Sequence, residues 1–226
     1  ALIKTFTIIY EADFHLRNLY EVIGQDYLYN DYNNFLVFLD NHDVSRFFKD
    51  EEYTLDRFKQ AVTFLLTTRG IPQIYYGTEI LSTGEKSEGD GYLRKDFPGG
   101  WPSDKTNAFL CENRSDLQKE SYDFLRKIAR WRRSCKAVTE GELIHYAPDE
   151  GRGEYCYVYA RIKDDDKVLV IMNGSTKSQI VRFDKYYDVL GESISGKDVI
   201  TDSEVSLKDD LTVPGKGIFI LEIHNK

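Results

Sequence analysis

The stretch "FLVFLDNHDVSRFF", residues 35–48, is apolar from Phe35 to Leu39 and then breaks into Asp40, Asn41, His42 and Asp43, with Arg46 just beyond. A continuous apolar run, rather than an alternating one, predicts a parallel strand over 35–40 covered on both faces. In parallel β/α architectures ligands bind at the carboxyl ends of the strands, which is where Asn41, His42 and Asp43 fall. The same triplet also reads as a plain strand exit, because Asn and Asp start turns and Asp43 or Ser45 could cap a helix.

Upstream, "TFTIIY" (5–10) has the β-branched and aromatic content of a strand. Phe14, Leu16, Leu19, Tyr20 and Ile23 then follow at roughly helical spacing and stop at Gly24. Downstream, Leu55, Phe58, Ala61, Val62, Leu65 and Leu66 form one helix face, Gly70 sits where a left-handed cap belongs, and "IPQIYYG" (71–77) is a third strand. The connection from Thr78 to Asn113 is too long to be idle. Ser115 and Gln118 make a capping box for the next helix, whose apolar side carries Leu117, Tyr122, Leu125, Ile128 and Ala129.

Near residue 138 the period changes. "EYCYVYAR" (154–161), "KVLVIMN" (167–173), "QIVRF" (179–183) and "GIFILEI" (217–223) are short strands punctuated by Asp164-Asp165-Asp166, Asn173-Gly174 and Pro214-Gly215. Two parts are expected: residues 1–137 as strand-helix units of a barrel, and residues 138–226 as an antiparallel β-sandwich.

Bulk properties exclude several classes of function. The 226 residues carry a net charge of -8, so no basic surface is expected to neutralise the phosphates of a nucleic acid. No run of about 18 apolar residues occurs, so no membrane-spanning helix is expected. The amino terminus lacks the pattern of a secretory signal and reads like the middle of a protein. The three cysteines, Cys111, Cys135 and Cys156, match no zinc spacing and read as idle or buried thiols. Aromatic residues are 14% of the chain, and such rings stack on sugar faces as well as filling cores.

"FLDNHDVSRF" (38–47) closely resembles the last signature region of the alpha-amylase family of glycoside hydrolases, at the end of its seventh barrel strand. "GIPQIYYGTEI" (70–80) resembles that family's eighth strand, and the two motifs stand in the family's order, joined by a helix. The resemblance implies that Asp43 is the third catalytic carboxylate, favouring the oxocarbenium-like sugar, and that His42 donates to the same ring. Fixed carboxylates suit that transition state because positive charge develops at the anomeric carbon.

In "EGDGYLRKDFPGGW" (88–101), Asp90 and Arg94 are spaced like the donor-side sugar-binding pair of the family, with Asn41 as a further substrate contact. The alternative for Asp90 and Arg94 is an exposed ion pair on a mobile loop. Tyr92 and Trp101 could stack on sugars or pin that loop. "DFPGGW" followed by "DKTNAF" resembles the neopullulanase and cyclomaltodextrinase branch. Glu79 is expected to be structural, Asp40 to support the site from behind, and Arg46 to hold a neighbouring carboxylate or join a surface pair. Asp13 in "YEADFHL" (10–16) resembles the exit of the sixth strand.

A retaining glycosidase needs a nucleophile and an acid/base about 5 Å apart. The Gly-x-Arg-x-Asp type of segment that carries the family's nucleophile does not occur in the chain, nor does a segment for the acid/base. The resemblance therefore covers essentially the whole chain but only the C-terminal portion of a family member. It implies a fragment of an alpha-glucan hydrolase acting on alpha-1,4 and alpha-1,6 bonds, with maltooligosaccharide or alpha-glucan as substrate and the amino-terminal part of the barrel as its missing partner. The chain alone is then expected to be inactive. A reading from a different class is a non-catalytic carbohydrate-binding or assembly module.

No metal or cofactor is assigned to the chain, since the family's calcium is held by earlier barrel loops. The resemblance favours a periplasmic or secreted enzyme over a cytoplasmic one. Three strands cut from an eight-stranded barrel leave open edges, so self-association through them is expected. Equal, strong amide protection of the first and third strands in a monomeric sample would contradict it.

Overall fold

The computed structural model describes residues 16–49, 55–148 and 155–223. The first part consists of α1 (Arg17–Ile23), β1 (Leu36–Phe38), α2 (Leu55–Thr67), β2 (Ile71–Gln73), a helical turn α3 (Asp90–Leu93), α4 (Asp116–Arg132) and α5 (Lys136–Glu140). The expected strand at 5–10 and Asp13 lie outside the described residues. β1 and β2 pair in parallel, with Leu36 opposite Ile71 and Phe38 opposite Gln73. Gly70, at φ +97°, turns the chain from α2 into β2, and a Cβ there would sit 2.7 Å from the carbonyl oxygen of Phe35. Only glycine satisfies both the backbone angle and that approach.

α2 is amphipathic in sequence yet buried almost all round, including the polar Arg57, Gln60, Thr63 and Thr67. One side packs on Val37 and Leu39, and the other packs on the β part through Tyr157, Tyr159, Val168, Val170 and Met172. Phe64 meets Tyr159 edge-on at 5.9 Å between ring centroids. Such fully buried side chains contribute roughly 1.5–3 kcal/mol each. Some of the buried polar groups find partners: Gln60 Nε2 donates to the carbonyls of Asn173 (2.7 Å) and Lys216 (3.1 Å), and Thr67 Oγ1 pairs with Tyr159 Oη, whereas Gln60 Oε1 and Thr63 Oγ1 have none among the described residues.

The β part begins at β3 (Glu142–Tyr146) and continues with β4 (Cys156–Lys163), β5 (Asp166–Asn173), β6 (Gln179–Val181), a helical turn α6 (Tyr187–Leu190), β7 (Ser195–Asp198), β8 (Glu204–Ser206), β9 (Leu211–Val213) and β10 (Ile218–Ile223). Six of these strands form a sheet in the order β3-β4-β5-β10-β7-β8, antiparallel throughout, while β6 and β9 pair separately. Because strand side chains alternate, Tyr157 and Tyr159 face α2 whereas Cys156, Val158 and Ala160 face a second core with Val181, Phe183, Val189 and Val213. The large sheet is thus covered by the helical part on one face and by the β6-β9 layer on the other.

Three expectations are corrected. The apolar strands span three residues each rather than 35–40 and 71–77, because the chain turns away once Leu39 has packed and again at Tyr75. They are also not covered on both faces: Leu36 is 57% and Ile71 51% exposed, since α2 shields one side of the pair only. Neither Asp43 nor Ser45 caps a helix. Ser45 Oγ instead accepts from the backbone N–H of Lys86 at 2.9 Å.

Candidate active site

At the carboxyl end of β1 the chain turns on Asn41, whose side-chain oxygen accepts from the backbone N–H groups of Asp43 (2.8 Å) and Val44 (3.1 Å). That turn sends His42 and Asp43 outward, with side chains 60% and 62% exposed and His42 Nε2 3.1 Å from Asp43 Oδ2. Asp40 points the other way. It is buried and accepts from Phe47 N–H at 3.1 Å and Thr78 Oγ1 at 2.8 Å. Burial pushes its carboxyl up, against the opposing pull of those two hydrogen bonds and of Arg46. Asp40 therefore ties the end of β1 to the segment after β2, behind the exposed pair.

The long connection between β2 and α4 is ordered as a series of short helical turns, at Thr78–Ile80, Lys86–Glu88, Asp90–Leu93 and Cys111–Asn113. It is stitched to the β1 turn along its length. Arg46 N–H donates to Gly84 O at 2.9 Å, Lys86 N–H reaches Ser45, and Lys49 pairs with Glu85 at 2.8 Å. A Cβ on Gly84 would lie 2.1 Å from Tyr92 O, so the segment closes on itself only with glycine there.

This stitching brings together four of the residues singled out in the sequence. Arg94 Nη2 lies 3.3 Å from Asp43 Oδ1 and 2.9 Å from Asp90 Oδ2, while its Nε donates to His42 O at 3.1 Å. Lys86 pairs with Asp90 from the other side. First Lys86 and then Arg94 hold the Asp90 carboxyl below the usual carboxylate range. Asp90 and Arg94 are exposed, as an ion pair on a loop would be, but Arg94 also reaches across to Asp43. Asn41 joins the same turn through its oxygen.

Lys86 was not singled out in the sequence. Its signal is the i,i+4 spacing that links Lys86 to Asp90 and Asp90 to Arg94. Trp101 Nε1 donates to Asp96 Oδ2 at 2.8 Å, which pins the indole while leaving the residue 59% exposed. Glu79 contributes its backbone carbonyl, which accepts from Ser121 Oγ at 2.8 Å. Arg46 meets one of its two expectations and not the other: it is buried with its Nη1 4.0 Å from Asp40 Oδ2, and it serves two backbone carbonyls rather than a surface pair. Among the described residues no group of three or more His, Cys, Asp or Glu side chains is gathered as a metal would require, and no helix is long and apolar enough to cross a membrane.

Part of a β/α barrel with carboxylates and an arginine clustered at its strand ends, followed by an antiparallel β domain, defines a class of barrel protein. The model of the alpha-amylase catalytic domain matches residues 6–180, and that of the cyclo-malto-dextrinase C-terminal domain matches residues 143–222. The chain belongs to the alpha-amylase family of glycoside hydrolases. It is 32% identical over 168 residues to the alpha-amylase SusG of Bacteroides thetaiotaomicron, covering 67% of this chain and 24% of that protein. It is 33% identical over 179 residues to a cyclomaltodextrin glucanotransferase of Niallia circulans, covering 76% of this chain and 22% of that protein. The chain therefore spans about a quarter of the length of these relatives. Among solved structures, the alpha-amylase of Geobacillus thermoleovorans, complexed with acarbose, superimposes with a TM-score of 0.75 at 25% identity, over 100% of this chain and 46% of that one. The two family matches overlap over residues 143–180, so they do not by themselves divide the chain.

Proposed function

We propose that this chain is the part of a retaining alpha-glucan hydrolase that holds the transition-state-stabilising Asp43 and the donor-side sugar contacts, with residues 1–137 as barrel and 138–226 as β domain. The observation that carries the reading is the joining of His42 and Asp43 to Asp90 and Arg94, remote in sequence, in one exposed cluster at the carboxyl end of β1. A carboxylate beside a forked guanidinium offers the mixed acceptors and donors that sugar hydroxyls need. Asp43 lowers the energy of a sugar whose anomeric carbon carries positive charge, and His42 and Asn41 contact the same ring.

The nucleophile and acid/base come from polypeptide outside these 226 residues, in keeping with relatives about three times as long. The bonds cleaved are alpha-1,4 and alpha-1,6 glucosidic bonds. The glucanotransferase relatives favour a second reading, in which the covalent intermediate passes to a sugar hydroxyl instead of water; chromatography of the products separates the two. The test of the main reading is reducing-sugar release from maltooligosaccharides and pullulan by the purified chain. No release is expected. Release that Asp43→Asn abolishes would show a complete active site in these residues and overturn the division of labour.

A further inference from the structure

We infer that Arg46 is a positioning residue that sets Arg94, and through it Asp43, from beneath the cluster; the inference rests on the reading of the site given above. Arg46 stands three residues beyond Asp43 but points inward and is only 2% exposed. Its Nε donates to Leu93 O at 2.9 Å and its Nη1 to Tyr76 O at 2.7 Å. The guanidinium lies 4.1 Å from the centroid of the Tyr75 ring and 5.0 Å from that of Tyr76. Its nearest carboxylate, that of Asp40, is 4.0 Å away and already accepts from Phe47 and Thr78.

The guanidinium thus binds the exit of β2 at Tyr76 and the end of α3 at Leu93 in one fork. The peptide joining Leu93 to Arg94 is planar, so fixing the Leu93 carbonyl fixes the plane from which Arg94 departs. Arg94 then reaches Asp43 and the His42 carbonyl. The other ties between the β1 end and the long connection are the partly exposed Lys49–Glu85 pair, of a kind that contributes little, and the hydrogen bonds at Thr78, Gly84 and Lys86, all of which act upstream of α3. The Arg46 fork is the buried tie that acts at the Leu93 carbonyl itself, next to Arg94. Lysine keeps the charge but cannot serve both carbonyls in one rigid geometry.

The experiment measures kcat and KM on maltooligosaccharides for the complete polypeptide carrying Arg46→Lys, Arg46→Met, Arg94→Ala or the Arg46→Lys/Arg94→Ala pair, with melting temperatures alongside. A misplaced contact residue costs on the order of a hundredfold, so Arg46→Met is expected to approach that loss in kcat/KM and Arg46→Lys about a tenth of it. Once Arg94 is truncated, Arg46→Lys should cost less than about twofold, because its effect passes through the missing side chain. Wild-type kcat/KM in Arg46→Lys, or an equal loss with and without Arg94, overturns the inference. If Arg46→Met does not fold, the Lys variant decides alone. Full turnover in Asp43→Asn would instead sink the reading of the site itself, whatever the Arg46 variants do.

Discussion

Asp43→Asn, placed in the complete polypeptide, is expected to lower kcat on maltooligosaccharides on the order of a thousandfold, about 4 kcal/mol of transition-state stabilisation. The substitution is nearly isosteric and the side chain is 62% exposed, so the fold has little to lose. In the proposed reading what disappears is a fixed negative charge beside a sugar that becomes positive only in the transition state, and a loss of that kind falls on kcat. The Arg94 contact weakens at the same time, because its acceptor at 3.3 Å is no longer charged. Circular dichroism should be unchanged. A loss below about tenfold would be the size of one ordinary polar contact and would remove Asp43 from the chemistry.

The second large effect concerns stability. Arg161, on β4, is 2% exposed. Its Nη1 donates to the carbonyls of Thr67 (3.1 Å) and Thr68 (2.5 Å), and its Nη2 to Gly141 O at 2.7 Å. Arg132, from α4, reaches Leu66 O at 2.6 Å. Two arginines from different elements thus close the carboxyl end of α2, where unpaired carbonyls and the helix dipole both favour a cation. Burial, and then the charge of Arg132, push the Arg161 guanidinium down to about 10, so it stays protonated at neutral pH.

Arg161→Met keeps the bulk but leaves three buried carbonyls without that donor, each worth roughly 1–3 kcal/mol when unsatisfied. The Arg161 Nε itself has no partner among the described residues, which offsets part of that loss. A net destabilisation of about 3 kcal/mol is expected in urea unfolding of the 226-residue chain. A shift under about 1 kcal/mol would mean that water or a rearranged Arg132 serves those carbonyls equally well. Because α2 feeds β2 through Gly70, the same joint anchors the segment that leads to Tyr76 and Arg94.

Much of the architecture was legible because it rests on local rules. The capping box appears as read, with Gln118 N–H donating to Ser115 Oγ at 3.2 Å and Ser115 N–H to Gln118 Oε1 at 3.0 Å. Gly70 is left-handed, and the runs at 154–161 and 167–173 fall on the adjacent strands β4 and β5. The short strands β3, β7, β8 and β9 were not seen, because runs of three to five residues of mixed polarity are paired by the sheet rather than by their own composition.

By itself, the sequence determined the order of the longer helices and of the strands with a continuous apolar run, the turn at Asn41, and the signature that places Asp43 at a strand end. Those follow from side-chain period and backbone preference over a few residues, which any stretch of chain carries with it. Only the tertiary structure decided that α2 is buried on both sides, that Arg46 and Arg161 serve backbone carbonyls, and that Arg94 meets Asp43. The partners in each of those contacts are separated by tens of residues, and a guanidinium looks the same in sequence whether it faces water or a buried helix end.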